Sequence, residues 1–211
     1  SDRALLQCGS EAIPADLLVR FYPGEWLPEL PARAGWKYFF VGAKTPLSNP
    51  ASALLTQSKR FPLVWDKLAA PLPTWRELLP ETCDPRRVPW KRDESWVLKP
   101  ALGRVGDSIG LRGVASPREW NTIRRSASWF PSHWAAQHRF EMEPVAGPQG
   151  PLYPVIGVYT VDRVVAGVYA RIAPRPLIDH RAQDVALLIP QPQPSFALPA
   201  VAGGAARSRV G

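Results

Sequence analysis

The chain has 211 residues, of which 45% are hydrophobic and 10% aromatic, enough for one sizeable domain or two small lobes with a packed core. Its 25 prolines exclude long uninterrupted helices except where proline opens a first turn, and its 2 cysteines, without Cys-x-x-Cys spacing, exclude a disulfide scaffold. The net charge of +8 favours an anionic partner: a phosphorylated small molecule, nucleic acid or a membrane surface.

No apolar run approaches the roughly 20 residues of a membrane span, and the start, with Asp2, Arg3 and Glu11, is unlike a secretory signal. Cys8 and Cys83 read as free thiols of a reducing compartment, so a cytoplasmic protein without a membrane partner is expected. The first residue is Ser1 rather than Met, so the expectation is a processed chain or a segment of a longer one.

In chain order, Leu17–Tyr22 reads as a strand ended by Pro23-Gly24, and Trp36–Val41 as a second strand. Residues 48–69 have helical spacing, with a cap at Ser48 or Asn49 and a kink or a junction of two helices at Pro62. Thr74-Trp75-Arg76-Glu77 has the pattern of a capping box, as does Ser116-Pro117-Arg118-Glu119, which opens a helix ended by Pro131. Ile109–Val114 would be a return strand, Trp134–Met142 another, and Val155–Val161 with Val164–Arg171 a hairpin about Asp162-Arg163. The Pro-, Ala- and Gly-rich stretch 191–211 reads as a disordered tail. The order implies an α+β fold built on antiparallel sheets.

The chain is organised around Trp96–Gly110. A short apolar strand carries Lys99, Pro100 ends it, and Gly103 and Gly106 follow in a loop able to turn N–H groups onto one anion. A lysine on a rigid strand before a glycine turn suits a nucleotide triphosphate; an ordinary strand with a surface lysine is the plainer alternative.

Five stretches in order carry a wider resemblance. They are Phe21–Leu27, Thr45–Pro50 leading into Gln57–Asp66, Trp96–Gly110, Gln137–Glu141, and the stretch from Gly157 to Arg171. Together they resemble the glutathionylspermidine synthase family of ATP-grasp ligases, over residues of about 20 to 190, and specifically its C-terminal nucleotide-binding portion. The resemblance implies an ATP-grasp-like fold, two small α+β lobes whose antiparallel sheets clasp a nucleotide. Residues 1–45 would be a leading segment joined to the core, 46–136 the lobe with the lysines and glycine lid, and 137–190 a second lobe with the adenine hinge.

The implied activity is an ADP-forming carboxylate–amine ligase working through an acyl phosphate, with ATP and Mg²⁺, a small carboxylate and an amine as partners. By the resemblance, Lys59 and Lys99 contact the phosphates, and Gly103-Arg104-Val105-Gly106 is the lid, with Val105 where the family has an acidic residue. Arg104 and Arg171 would neutralise the transferring phosphoryl group, and Gln137 and Glu141 would meet adenine. The family's metal ligands lie upstream of the matched region, in a part of the synthetase that this chain would need as a partner. Only Asp179 and Asp184 offer hard oxygens for Mg²⁺ near the expected site.

Two other readings stand beside this one. A nucleotide-binding or interaction module could keep the grasp without the metal site. A basic stripe of Arg86-Arg87, Lys91-Arg92 and Arg124-Arg125 with neighbouring tryptophans would suit nucleic acid, although no named nucleic-acid motif accompanies it. His133, His138 and His180 lack zinc-ligand spacing, and no Gly-x-Ser-x-Gly elbow is present.

Overall fold

A computed structural model describes residues 3–104 and 106–190, so Val105 and the tail expected at 191–211 lie outside the described residues. Strands β1 (Leu5–Cys8) and β2 (Glu11–Pro14) form a hairpin, and β3 (Leu18–Val19) pairs with β4 (Leu47–Ser48). That second pair is parallel, which corrects the expectation of purely antiparallel sheets. Between β3 and β4 lies helix α1 (Tyr38–Val41), where a strand was expected. Trp36 and Phe40 meet edge to face at 6.0 Å, an i,i+4 contact that a helical turn allows and a strand does not.

Residues 48–69 are helical but broken: α2 (Leu54–Gln57) is followed by a 3₁₀ run over Phe61–Lys67, with Pro62 in its first turn. Helix α3 (Pro73–Leu78) starts at Pro73, so its cap position falls on Leu72, with φ +48° and no side-chain cap bond. The expected capping box at Thr74 therefore does not form, because proline fixes the helix start one residue earlier.

The centre of the molecule is a three-stranded antiparallel sheet of β5 (Thr82–Cys83), β6 (Trp96–Pro100) and β7 (Trp134–His138), with β7 in the middle. Helix α4 (Pro117–Trp129) connects β6 to β7 and is capped as expected. Ser116 Oγ accepts from the Glu119 N–H, and Glu119 accepts from the Ser116 N–H at 2.9 Å. Strand alternation sends Trp96 and Leu98 of β6, and Trp134 and Ala136 of β7, to one face. There they pack on Ile123 and Ala127 of α4 and on Trp90, forming the main core. Its indoles are satisfied: Trp90 donates to Pro85 O at 3.0 Å and Trp134 to Ser126 Oγ at 3.1 Å. The expected return strand at Ile109–Val114 is reduced to one bridge between Leu98 and Gly110, because left-handed Ser108 and Gly113 turn the chain on both sides.

The last part is a four-stranded antiparallel sheet in the order β11-β10-β9-β8, of β8 (Val145–Gly147), β9 (Gly150–Val161), β10 (Val164–Ala173) and β11 (Gln183–Val185). The hairpin about Asp162-Arg163 forms as read from the sequence, and both turn residues take positive φ. The fold is thus mixed α+β, with few helices and several small sheets. No helix among the described residues is long and apolar enough to cross a membrane.

Candidate functional site

The face of the central sheet turned away from α4 carries the polar residues. Lys99, Gln137 and Thr82 occupy adjacent strands, with Thr82 and Val97 both opposite Gln137 in register. Lys99 Nζ donates to Gln137 Oε1 at 2.5 Å, and Gln137 Nε2 donates to Thr82 Oγ1 at 2.9 Å. Gln137 is buried in the middle of its sheet, with its amide committed on both sides, rather than standing at a strand end. Strand β7 also runs without interruption across positions 136 and 137.

Lys59 comes from a different element, the link between α2 and the 61–67 turn. Its N–H donates to Ala101 O at 2.8 Å, and its Nζ donates to Gly103 O at 3.1 Å. Its neighbour Arg60 pins this link to the sheet, donating to Trp134 O at 2.6 Å and to Asp84 Oδ2 at 2.7 Å. Asp84 in turn caps the turn at Pro85–Arg87 and holds the Arg86 guanidinium. The sequence reading missed Arg60, Asp84 and Thr82; the Asp84-Pro85 pair, an acidic cap before a first-turn proline, was the available signal.

The two lysines share one charge environment. Burial pushes the Lys59 ammonium below the usual lysine range, and the nearby Glu25 carboxylate partly restores it. Burial also lowers Lys99, and the Lys59 charge lowers it further. Neither lysine forms an ion pair among the described residues.

Two cavities meet at Lys59, Lys99 and Gln137. One, of about 580 Å³, continues over Gly106, the stretch His138–Phe140 with Met142 and Glu143, Pro154 and Val155 of β9, and Pro176–Ile178. The other, of about 380 Å³, lies under the 61–67 turn and α3. Both fall in the range typical of small-molecule sites.

The other expected site residues are placed as follows. Gly106 has φ +73°, and a Cβ there would stand 2.2 Å from Ile178 O, so glycine alone lets the loop close on that segment. Gly103 faces a different constraint, since a Cβ would lie 2.3 Å from Pro100 Cγ. Arg104 pairs with Glu25 at 3.3 Å and lies 5.8 Å from the Trp26 ring centre. Glu141 is exposed and lines neither lysine cavity, whereas Glu143 lines the larger one. Arg171 pairs with Asp184 at 3.1 Å and donates to the carbonyls of Asp179 and Ala182.

For a metal, the donor chemistry does not fit. Asp184 is engaged by Arg171, and Asp179 accepts from Arg175 and from the Arg181 N–H, both at 2.8 Å. Among the described residues no group of three His, Cys, Asp or Glu side chains could hold an ion.

No curated protein and no solved structure matches the chain. One family model, described as glutathionylspermidine synthase preATP-grasp, matches residues 7–190. Its description corrects the expectation of a C-terminal portion, since the part matched is the pre-ATP-grasp one. The chain belongs to the glutathionylspermidine synthase preATP-grasp family.

Proposed function

We propose that this chain holds the polyphosphate of a nucleotide, ATP, within an ADP-forming carboxylate–amine ligase. The observation that carries the reading is the convergence of Lys59 and Lys99, from separate elements, on the 580 Å³ cavity with no ion pair to either among the described residues. Two ammonium groups placed together in a poorly hydrated cleft repel each other, and a polyanion turns that repulsion into attraction. His138–Phe140 with Met142 and Glu143 line it beyond the lysines, where main-chain groups can meet a base, and Gly106 closes the glycine loop against Ile178. Gln137 serves this site through Lys99, fixing the ammonium with a single acceptor. The β6–β7 sheet and β9 would then be the two jaws of a clasp, in a cytoplasmic enzyme joining a small carboxylate to an amine.

The roles of Arg104 and Arg171 as phosphate contacts require them to leave Glu25 and Asp184. Because the described carboxylates do not fit Mg²⁺, no step through a metal is derived.

Calorimetric titration of the chain with ATP tests the reading. The wild type is expected to bind, and Lys59→Met and Lys99→Met each to weaken binding by about tenfold or more, the scale of a lost charged hydrogen bond. Equal binding by wild type and both variants would overturn it. A second reading, a nucleotide-binding module without turnover, is favoured by the commitment of Asp179 and Asp184 to arginines. Release of ADP in the presence of Mg²⁺, carboxylate and amine separates the two.

A further inference from the structure

The smaller cavity is not needed to hold a nucleotide, yet it opens on the same ammonium pair. We infer that it binds an organic acid with an aromatic or aliphatic body, the carboxylate seated at Lys59 and Lys99. Its walls are Phe61 and Trp65 of the 61–67 turn and Trp75 and Leu79 in and beside α3, while the lysines, Gln137 and Thr82 form its polar end. A predominantly apolar wall with a few convergent donors at one end selects an amphipathic anion over a fully hydrated one.

Two further observations support this occupant. The two walls touch across the rim of the cavity: Arg76 of α3 pairs with Asp66 at 2.8 Å and lies 5.8 Å from the Trp65 ring centre. Its volume of about 380 Å³ admits an arylalkanoic or medium-chain acid but leaves little room for a long peptide.

The inference rests on the nucleotide reading only for its catalytic sense, which is that the acid lies beside the phosphates held in the larger cavity. The binding itself stands apart and is tested apart. Titration of the full chain with 3-phenylpropionate, followed by tryptophan fluorescence and calorimetry, should show at least tenfold tighter binding than 3-phenylpropanol, its neutral counterpart, or acetate, which lacks the body. Leu79→Glu should abolish phenylpropionate binding, and Trp75→Ala, at an exposed position, should weaken the acid several-fold without affecting folding or ATP binding.

Equal affinity for the acid and the alcohol, or full acid binding by both variants, overturns the inference. If Leu79→Glu fails to fold, Trp75→Ala decides: an unchanged acid affinity there is equally fatal. Bound ATP with no acid binding overturns this inference alone. Bound acid with no ATP binding supports it and overturns the nucleotide reading instead.

Discussion

Lys99 on β6 reaches Gln137 on the neighbouring strand β7, and through it Thr82 on β5, so one ammonium is fixed by a bond chain across all three strands of the central sheet. The acceptor in this chain is neutral, which leaves the lysine's charge uncancelled and available to a ligand. Gln137→Glu keeps the shape and supplies a partner charge. It should therefore hold Lys99 more tightly yet weaken ATP by about tenfold or more, about 1.4 kcal/mol. Gln137→Leu should instead cost about 1–3 kcal/mol of stability, because Thr82 and Lys99 both lose a buried partner. Denaturant unfolding and ATP calorimetry on the two variants separate the effects.

The lowered lysines give the protein a pH signature of defined sign. A group whose pKa is lower in the folded state binds more protons when unfolded, so stability rises with pH from the depressed lysine value up to the ordinary value near 10.4. Burial of Lys99, followed by its repulsion from Lys59, is the cause. Lys99→Met should flatten this rise and leave the protein at least as stable at neutral pH. ATP affinity should move in the opposite direction, declining as pH climbs through the depressed values, since a neutral amine no longer attracts phosphate. Thermal melting and calorimetry across the alkaline range check both slopes.

Sequence legibility followed the range of the forces involved. The Ser116–Glu119 box, α4, β6 and the β9–β10 hairpin were readable because local caps, periodicity and turns determine them. The short helix at Tyr38–Val41 and the lost return strand at Ile109–Val114 were not, since an aromatic pair and two left-handed residues outweigh β propensity there. Lys59 and Lys99 were singled out from sequence, and the fold brings them to one cavity. Pairing of Arg171 with Asp179 or Asp184 was the plainer alternative to a phosphate contact, and the Asp184 pair forms; the placement of Arg104 with Glu25 could not be read, because that pairing is made by tertiary structure across positions that carry no local signal.

Arg60 and Asp84 hold the lysine-bearing link against the sheet, and both are largely buried. The Arg86 guanidinium beside Asp84, helped by Arg60, keeps its carboxyl well below the usual carboxylate range. Removing the acid leaves Arg60 buried without its partner, so Asp84→Ala should cost about 3 kcal/mol of stability. The depressed carboxyl also predicts acid sensitivity. Its contribution is present above the unfolded value near 3.9 and is lost as pH falls below it. Acid unfolding of the wild type should therefore flatten in Asp84→Ala, as measured by circular dichroism between pH 5 and 2.

The hairpin of β9 and β10 carries a strained residue that can be relieved. Two-residue hairpin turns with positive φ at both positions favour Asn-Gly or Asp-Gly, because the left-handed region crowds a Cβ against the carbonyl. Here Asp162 has φ +50° and Arg163 φ +68°, so the first residue suits the turn and the second does not. Glycine at the second position removes the clash, worth about 1–2 kcal/mol in the folded state, and adds unfolded-chain entropy that offsets about 0.5–1 kcal/mol of that gain. Arg163→Gly should therefore stabilise the protein modestly, by about 0.5–1 kcal/mol, and Arg163→Val, β-branched at the same angle, should destabilise it by a similar amount. Because Arg163 is exposed and lines neither lysine cavity, ATP affinity should be the same in both variants. Urea midpoints for the three proteins at equal m-value check the ordering, and an Arg163→Gly midpoint below the wild type would show that the turn is not the source of strain.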